Sequence, residues 1–116
     1  MSDSHLDQAV LASLQDVMGD EYPVLLDTFL VDSDERQRHI EQACTAGDAQ
    51  ALRLAAHSFK GSCSNMGAPL LAGLCRQLEE AARRERLDEA PGLIEQIGRE
   101  FAIVRILLKS ERQRYR

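Results

Sequence analysis

Tryptophan is absent from the sequence, and aromatic residues make up only 4% of its 116 residues. Proline occurs only three times, whereas alanine and leucine are abundant. Sheets are usually rich in aromatic and β-branched residues, while alanine and leucine favour closely packed helices. We therefore predict an all-α fold. With 44% hydrophobic residues, the chain can form one domain, residues 1–116, with a core of ordinary size.

Long apolar runs are also lacking. No unbroken hydrophobic stretch approaches the roughly 20 residues that a membrane-spanning helix requires. Residues 1–5 do not show the basic segment, followed by an apolar one, that marks a secretion signal. We expect a cytoplasmic protein with no membrane partner.

Cysteine occurs three times, an odd number that leaves one residue over in any disulfide framework. The spacings of Cys44, Cys63 and Cys75 fit no zinc ligand set. We expect reduced, mostly buried side chains that act as small hydrophobic residues, and no metal site.

The charge distribution does not favour a nucleic-acid partner. Residues 1–50 carry eleven acidic and two basic side chains, whereas residues 51–116 carry eight acidic and twelve basic ones, for a formal net charge of -5. The bases within residues 109–116 are interpreted as a solvated terminus, because a nucleic-acid site needs a basic patch on a folded surface.

Helix start and stop signals divide the chain into five helices. The breaks fall at residues 19–23, 47–48, 67–69 and 88–91, where glycine, proline and aspartate cluster. We predict a short N-terminal helix in residues 1–19, beginning near Ser4, with Leu6, Val10, Leu14 and Val17 as its apolar stripe. Residues 20–113 are predicted to form an up-down-up-down antiparallel four-helix bundle, because such short connections force neighbouring helices to run in opposite directions.

The long second helix has an interrupted apolar stripe. Its inward positions at helical spacing are Leu26, Phe29, Ser33, Arg36, Ile40 and Ala43. Two of these six residues are polar, so packing there is less regular than elsewhere. We expect the Arg36 side chain to extend to the rim of the bundle, where its charge can reach water.

The third helix carries two stripes of different chemistry. Its apolar stripe, which we predict to be buried, consists of Leu52, Ala56, Phe59, Cys63 and Met66. A second stripe one residue along consists of Arg53, His57, Lys60 and Ser64, and we predict that it faces water. An exposed imidazole flanked by two cations is a candidate reactive site.

Gly61 lies one turn after His57 in the middle of this helix. Glycine in a helix costs about 1 kcal/mol relative to alanine, which suggests a compensating reason for its presence. We infer that the missing side chain gives another macromolecule access to the imidazole. The alternative is a surface histidine with a helical glycine by chance.

A run of more than twenty residues around His57 resembles the histidine-containing phosphotransfer (HPt) family. The resemblance is carried by His57-Ser58-Phe59-Lys60-Gly61-Ser62, by Asn65-Met66-Gly67-Ala68, and by Leu71, Leu74, Cys75, Leu78 and Glu79. It extends less sharply from about Tyr22 to the last helix. At Arg36 the family more often has an apolar residue, and at Glu79 some members have glutamine.

This resemblance implies phosphorelay signalling through a phosphohistidine at His57. The phosphoryl group would come from the receiver aspartate of a hybrid sensor kinase and pass to a response regulator aspartate. Lys60 belongs to the family pattern, and its charge at i+3 is expected to stabilise the phosphoryl oxygens. Arg53, at i-4, is a second candidate cation.

Three further residues are supporting candidates. Glu79 is either a hydrogen-bond acceptor that orients the ring or an exposed side chain. Ser64 either donates a hydroxyl contact or is solvated. Gly67 is expected to serve the turn between the third and fourth helices. The docking surface is expected on the second and third helices around His57, with Leu54 either exposed there or part of the core.

No glycine-rich phosphate loop or nucleotide-binding motif is present in the sequence. We therefore predict a phosphocarrier rather than an enzyme, with no cofactor of its own and magnesium only on the partner receiver. A monomer is expected because no second apolar seam is evident. The alternative function is a non-catalytic helical-bundle adaptor that binds a partner protein, with His57 incidental.

Overall fold

The computed structural model describes residues 5–115, which form five α-helices, two short 3₁₀ turns and no strand. The helices are α1 (Gln8–Met18), α2 (Tyr22–Thr45), α3 (Ala49–Met66), α4 (Pro69–Arg83) and α5 (Ala90–Arg112), with turns at Gly19–Glu21 and Leu87–Glu89. Helix α2 packs on α3, α3 on α4, α4 on α5, and α5 back on α2. The predicted all-α four-helix bundle with an additional short helix is confirmed.

The predicted break signals act at the helix ends. The Asp48 carboxylate caps α3 by accepting a hydrogen bond from Ala51 N at 3.0 Å. Gly67 ends α3 in the left-handed region, with φ 79°. Proline occupies the first turn of α2, α4 and α5, where its missing N–H has no helical partner to lose.

The prediction for α1 was wrong in two details. The helix begins at Gln8, capped by Asp7, whose carboxylate accepts from Ala9 N at 3.0 Å, while Ser4 lies outside the described residues. Val17, predicted to be on the buried stripe, is 82% exposed. The face that docks on the bundle is instead formed by Leu11, Leu14 and Met18.

Residues 5–7, just before α1, attach this helix to the bundle near the turn between α3 and α4. Asp7 N donates to Gly67 O at 2.7 Å, and Leu6 is buried in the common core. Nδ1 of His5 lies 2.7 Å from Oε2 of Glu100, a mostly buried carboxylate on α5. The N-terminal segment therefore packs on α3 and α5 before the first helix begins.

All five residues of the predicted apolar stripe of α3 are buried. The Phe59 ring is fully buried, with its centroid 6.4 Å from that of Phe101, and Phe101 lies 6.4 Å from Phe29. These three rings join α2, α3 and α5 at the centre of the bundle. The opposite face of α3 is thereby fixed towards solvent.

All three cysteines are free; Cys63 and Cys75 are buried and Cys44 is partly buried. A hydrogen bond with the Cys75 thiol, together with burial, raises the pKa of Cys63 above its ordinary value. The Cys63 thiol therefore stays protonated, in agreement with a packing role. Within residues 5–115 no group of three or more metal-ligating side chains converges. In the same part of the chain no helix is long and apolar enough to cross a membrane.

Substituting Phe59→Ala is expected to lower the free energy of unfolding by about 3 to 5 kcal/mol, because it leaves a cavity among the three rings. Urea denaturation with circular dichroism measures this. Ile106→Ala is the matched control, since Ile106 is 68% exposed and its truncation should cost less than about 0.5 kcal/mol. A Phe59→Ala loss as small as that of the control would contradict the proposed core.

Candidate functional site

Helix α3 presents His57 to solvent. With Phe59 fixed in the core, the His57 side chain points outwards and is 62% exposed. Gly61 follows one turn later on the same face, and a Cβ built there would meet no atom within 4 Å. A side chain at Gly61 would therefore project into open space.

Glu79 of α4 joins the two central residues of the site. His57 Nδ1 lies 2.9 Å from Glu79 Oε2, and Lys60 Nζ lies 2.7 Å from Glu79 Oε1. The Glu79 side chain is only 19% exposed, so one carboxylate, partly buried between two helices, bridges the imidazole and the ammonium. Of the two alternatives for Glu79, the structure has the hydrogen-bonded one.

The protonation state of Glu79 follows from its partners. Partial burial opposes ionisation, but hydrogen bonds from Lys60 and His57 outweigh it and hold the pKa of Glu79 below its ordinary value. At neutral pH the carboxylate is ionised and can only accept hydrogen bonds. Nδ1 of His57 is therefore the donor. In the neutral ring this leaves Nε2 as the unprotonated nitrogen, with its lone pair free.

The remaining predicted residues lie further from the ring. Arg53 is half-buried in a groove beside Arg83, and Ser64 is exposed. Within residues 5–115 neither side chain makes a hydrogen bond or ion pair with His57. Gly67 packs against α1, where an added Cβ would lie 2.8 Å from Cβ of Val10. Its place is in the turn between α3 and α4, away from the imidazole.

One neighbour of the site was not predicted. Arg36 crosses from α2, and its Nη1 donates a hydrogen bond to the hydroxyl of Ser58, the residue next to His57. The polar interruption of the α2 stripe was the signal in the sequence. It did not show that Arg36 reaches α3, because contacts between helices are not encoded in the spacing along one helix.

Comparison with known proteins identifies the family to which the fold belongs. The family model for the Hpt domain matches residues 24–111. The crystal structure of histidine-containing phosphotransfer protein B (HptB) from Pseudomonas aeruginosa PAO1 is 70% identical in sequence, with a TM-score of 0.97 over 99% of this chain and 100% of that one. No curated protein sequence matched the chain.

The chain belongs to the Hpt domain family. Its function is histidine phosphotransfer in phosphorelay signalling. Proteins of this family are phosphoryl carriers that partner with kinases and response regulators. The family match thus favours the phosphocarrier interpretation over the alternative of an adaptor.

Replacing Glu79 by glutamine is expected to destabilise the protein in a pH-dependent way. Since the pKa of Glu79 is lowered in the folded state, its contribution is fully present above the unfolded pKa, near the ordinary value of 4.5, and is lost as pH falls through the folded pKa. The difference in free energy of unfolding between wild type and Glu79→Gln should therefore narrow below about pH 4.5.

Urea denaturation at a series of pH values between about 3 and 7 measures this difference. Glu95→Gln is the control, because Glu95 forms an exposed pair with Arg99 and should change stability little at any pH. A Glu79→Gln difference that stays constant, or widens in acid, would contradict the lowered pKa.

Proposed function

We propose that His57 is the phosphorylated residue, and that its Nε2 atom forms the bond to phosphorus. The donor is the aspartyl phosphate of a hybrid sensor kinase receiver domain, and the acceptor is the aspartate of a response regulator. The observation that carries this proposal is the contact between Nδ1 of His57 and the ionised Glu79, which leaves an exposed Nε2 lone pair.

The transfer needs no proton movement on this chain. The Nε2 lone pair attacks phosphorus, the bond from phosphorus to the aspartyl oxygen breaks, and its electron pair stays on the aspartate carboxylate. Positive charge then develops on the imidazole ring, whose Nδ1–H remains bonded to Glu79. The Glu79 carboxylate stabilises that charge, in the way an acidic residue orients and stabilises the histidine of a hydrolase triad. The return step to the next aspartate is the same reaction reversed.

The other residues have roles that follow from their positions. The Lys60 ammonium forms an ion pair with Glu79 and has further N–H donors for the phosphoryl oxygens. Arg53 adds positive charge from the turn before His57 without a direct bond to the ring, and Ser64 is a supporting hydroxyl two turns beyond it. Gly61 keeps the approach to the ring open. Gly67 supports the site only by fixing the turn that sets α4 against α3.

The partner supplies the rest of the chemistry. The receiver domain brings the aspartate and the magnesium ion, while this chain binds no cofactor and acts as a monomeric cytoplasmic carrier. The docking surface is the α2–α3 face around His57. Leu54, which the sequence left as either core or surface, is 52% exposed one turn before His57 and offers an apolar contact there.

Incubation with a phosphorylated receiver is expected to give the protein a label that is labile in acid and stable in base, as a phosphohistidine is. His57→Gln should abolish the label without changing helical content, because the side chain is exposed. His39→Gln, an exposed histidine on α2, is the matched control and should label normally. A label that survives His57→Gln would show that another residue carries the phosphoryl group.

Gly61→Ala is expected to raise the free energy of unfolding by roughly 1 kcal/mol, because alanine is the better helix former and its Cβ has open space. The same methyl group should slow phosphotransfer by obstructing the receiver's approach to Nε2. Gly98→Ala on α5, also exposed and open, is the control: stability should rise similarly while the transfer rate is unchanged. If Gly61→Ala and Gly98→Ala transferred at the same rate, this would contradict the role of Gly61 in giving the receiver access to Nε2.

A further inference from the structure

Helix α2 carries two polar residues on its inward face. Leu26 and Phe29 before them, and Ile40 after them, are buried as an apolar stripe requires. Ser33 is fully buried and its hydroxyl has no hydrogen-bond partner. Arg36 is half-buried, and its Nε is buried without an acceptor. Buried unsatisfied donors cost stability, so the presence of a charged residue at such a position points to a compensating role in this protein.

Arg36 is also a cation without a carboxylate partner. Of its acidic neighbours on α2, Asp34 pairs with Arg105 and Glu35 with Arg38, while the exposed Asp32, one turn earlier, forms no ion pair with it. No carboxylate forms an ion pair with Arg36 within residues 5–115. Its only hydrogen bond there is to the Ser58 hydroxyl, which is neutral. A charged acceptor would bind the guanidinium more strongly than a hydroxyl does.

The position of Ser58 brings this cation to the flank of the imidazole. Successive residues on a helix point about 100° apart, so Ser58 lies on one side of His57 and Lys60 on the other. On the α4 side, the Lys60 ammonium is neutralised by Glu79. On the α2 side, the Arg36 charge is not neutralised. Negative charge arriving at His57 therefore meets, on its α2 side, a cation that no carboxylate neutralises.

We propose that Arg36 is a catalytic residue of the transfer, which exchanges the Ser58 hydroxyl for the oxygens of the moving phosphoryl group. This inference rests on the proposed role of His57. In the transition state, negative charge is spread over the three equatorial oxygens of the group. A guanidinium fork matches two such oxygens at once. Arg36 forms and breaks no covalent bond and gives up no proton, so the bonds formed and broken in the transfer are still those at Nε2 and at the aspartyl oxygen.

The test is single-turnover transfer from a phosphorylated receiver to the protein, measured over a range of receiver concentrations. For Arg36→Met, the rate constant at saturating receiver should fall roughly 10- to 100-fold, as expected for losing a charge-assisted hydrogen bond in the transition state. The half-saturating concentration should change little. The melting temperature should hold or rise, because methionine continues the apolar stripe.

Three further variants make the result specific. Arg36→Lys keeps the charge but loses the planar guanidinium, so its transfer rate should lie between those of wild type and Arg36→Met. If Arg36→Met does not fold, a wild-type rate for Arg36→Lys overturns the inference and a reduced rate supports it. Ser33→Ala removes the other polar interruption of the stripe and should transfer at the wild-type rate. Arg38→Gln removes a neighbouring exposed arginine and should do the same.

The inference is overturned if Arg36→Met transfers at the wild-type rate. It is also overturned if only the half-saturating concentration rises, since Arg36 would then contact the receiver's surface rather than the phosphoryl group. His57→Gln separates the two proposals. If His57→Gln takes no label while Arg36→Met is normal, the role of Arg36 fails and that of His57 stands. If His57→Gln is still labelled, the proposal for His57 fails.

Discussion

The hydrogen bond between Nδ1 of His57 and the carboxylate of Glu79 is the interaction on which the site depends. It joins α3 to α4, fixes the ring at an exposed position, and selects the tautomer whose Nε2 lone pair faces solvent. The ion pair with Lys60 keeps that carboxylate ionised despite its partial burial. The core makes this arrangement possible, because Phe59 fixes the rotation of α3 and the tight turn at Gly67 sets α4 beside it.

Most of the fold could be predicted because its signals are local. Glycine, proline and capping aspartate mark the helix ends, and the spacing of apolar residues identifies the buried face of α3 in full. The failure at α1 has a physical cause. The buried face of a short helix at the edge of a bundle depends on how the helix docks, and here Met18 rather than Val17 packs against the core. Periodicity alone cannot distinguish two such neighbouring stripes.

In the candidate site, too, the features within one helix could be predicted and the contacts between helices could not. His57, Lys60 and Gly61 share one helix, so their spacing placed them together. The alternatives for Glu79 stayed open because its distance to His57 depends on how α4 packs on α3. Arg36 was predicted at the rim but not at Ser58, for the same reason. Cation spacing also suggested Arg53 next to the ring, whereas the structure has it in a groove towards Arg83. Local spacing finds the proposed nucleophile, and tertiary packing supplies the groups that contact it.

The tautomer of His57 is the most direct test of this account. A long-range ¹H–¹⁵N NMR spectrum of the imidazole rings, recorded at about pH 8 where an ordinary histidine is neutral, reports which nitrogen carries the proton. The account predicts that His57 is protonated at Nδ1 and bare at Nε2. A proton found on Nε2 would contradict it, because the nitrogen facing solvent would then have no lone pair for phosphorus.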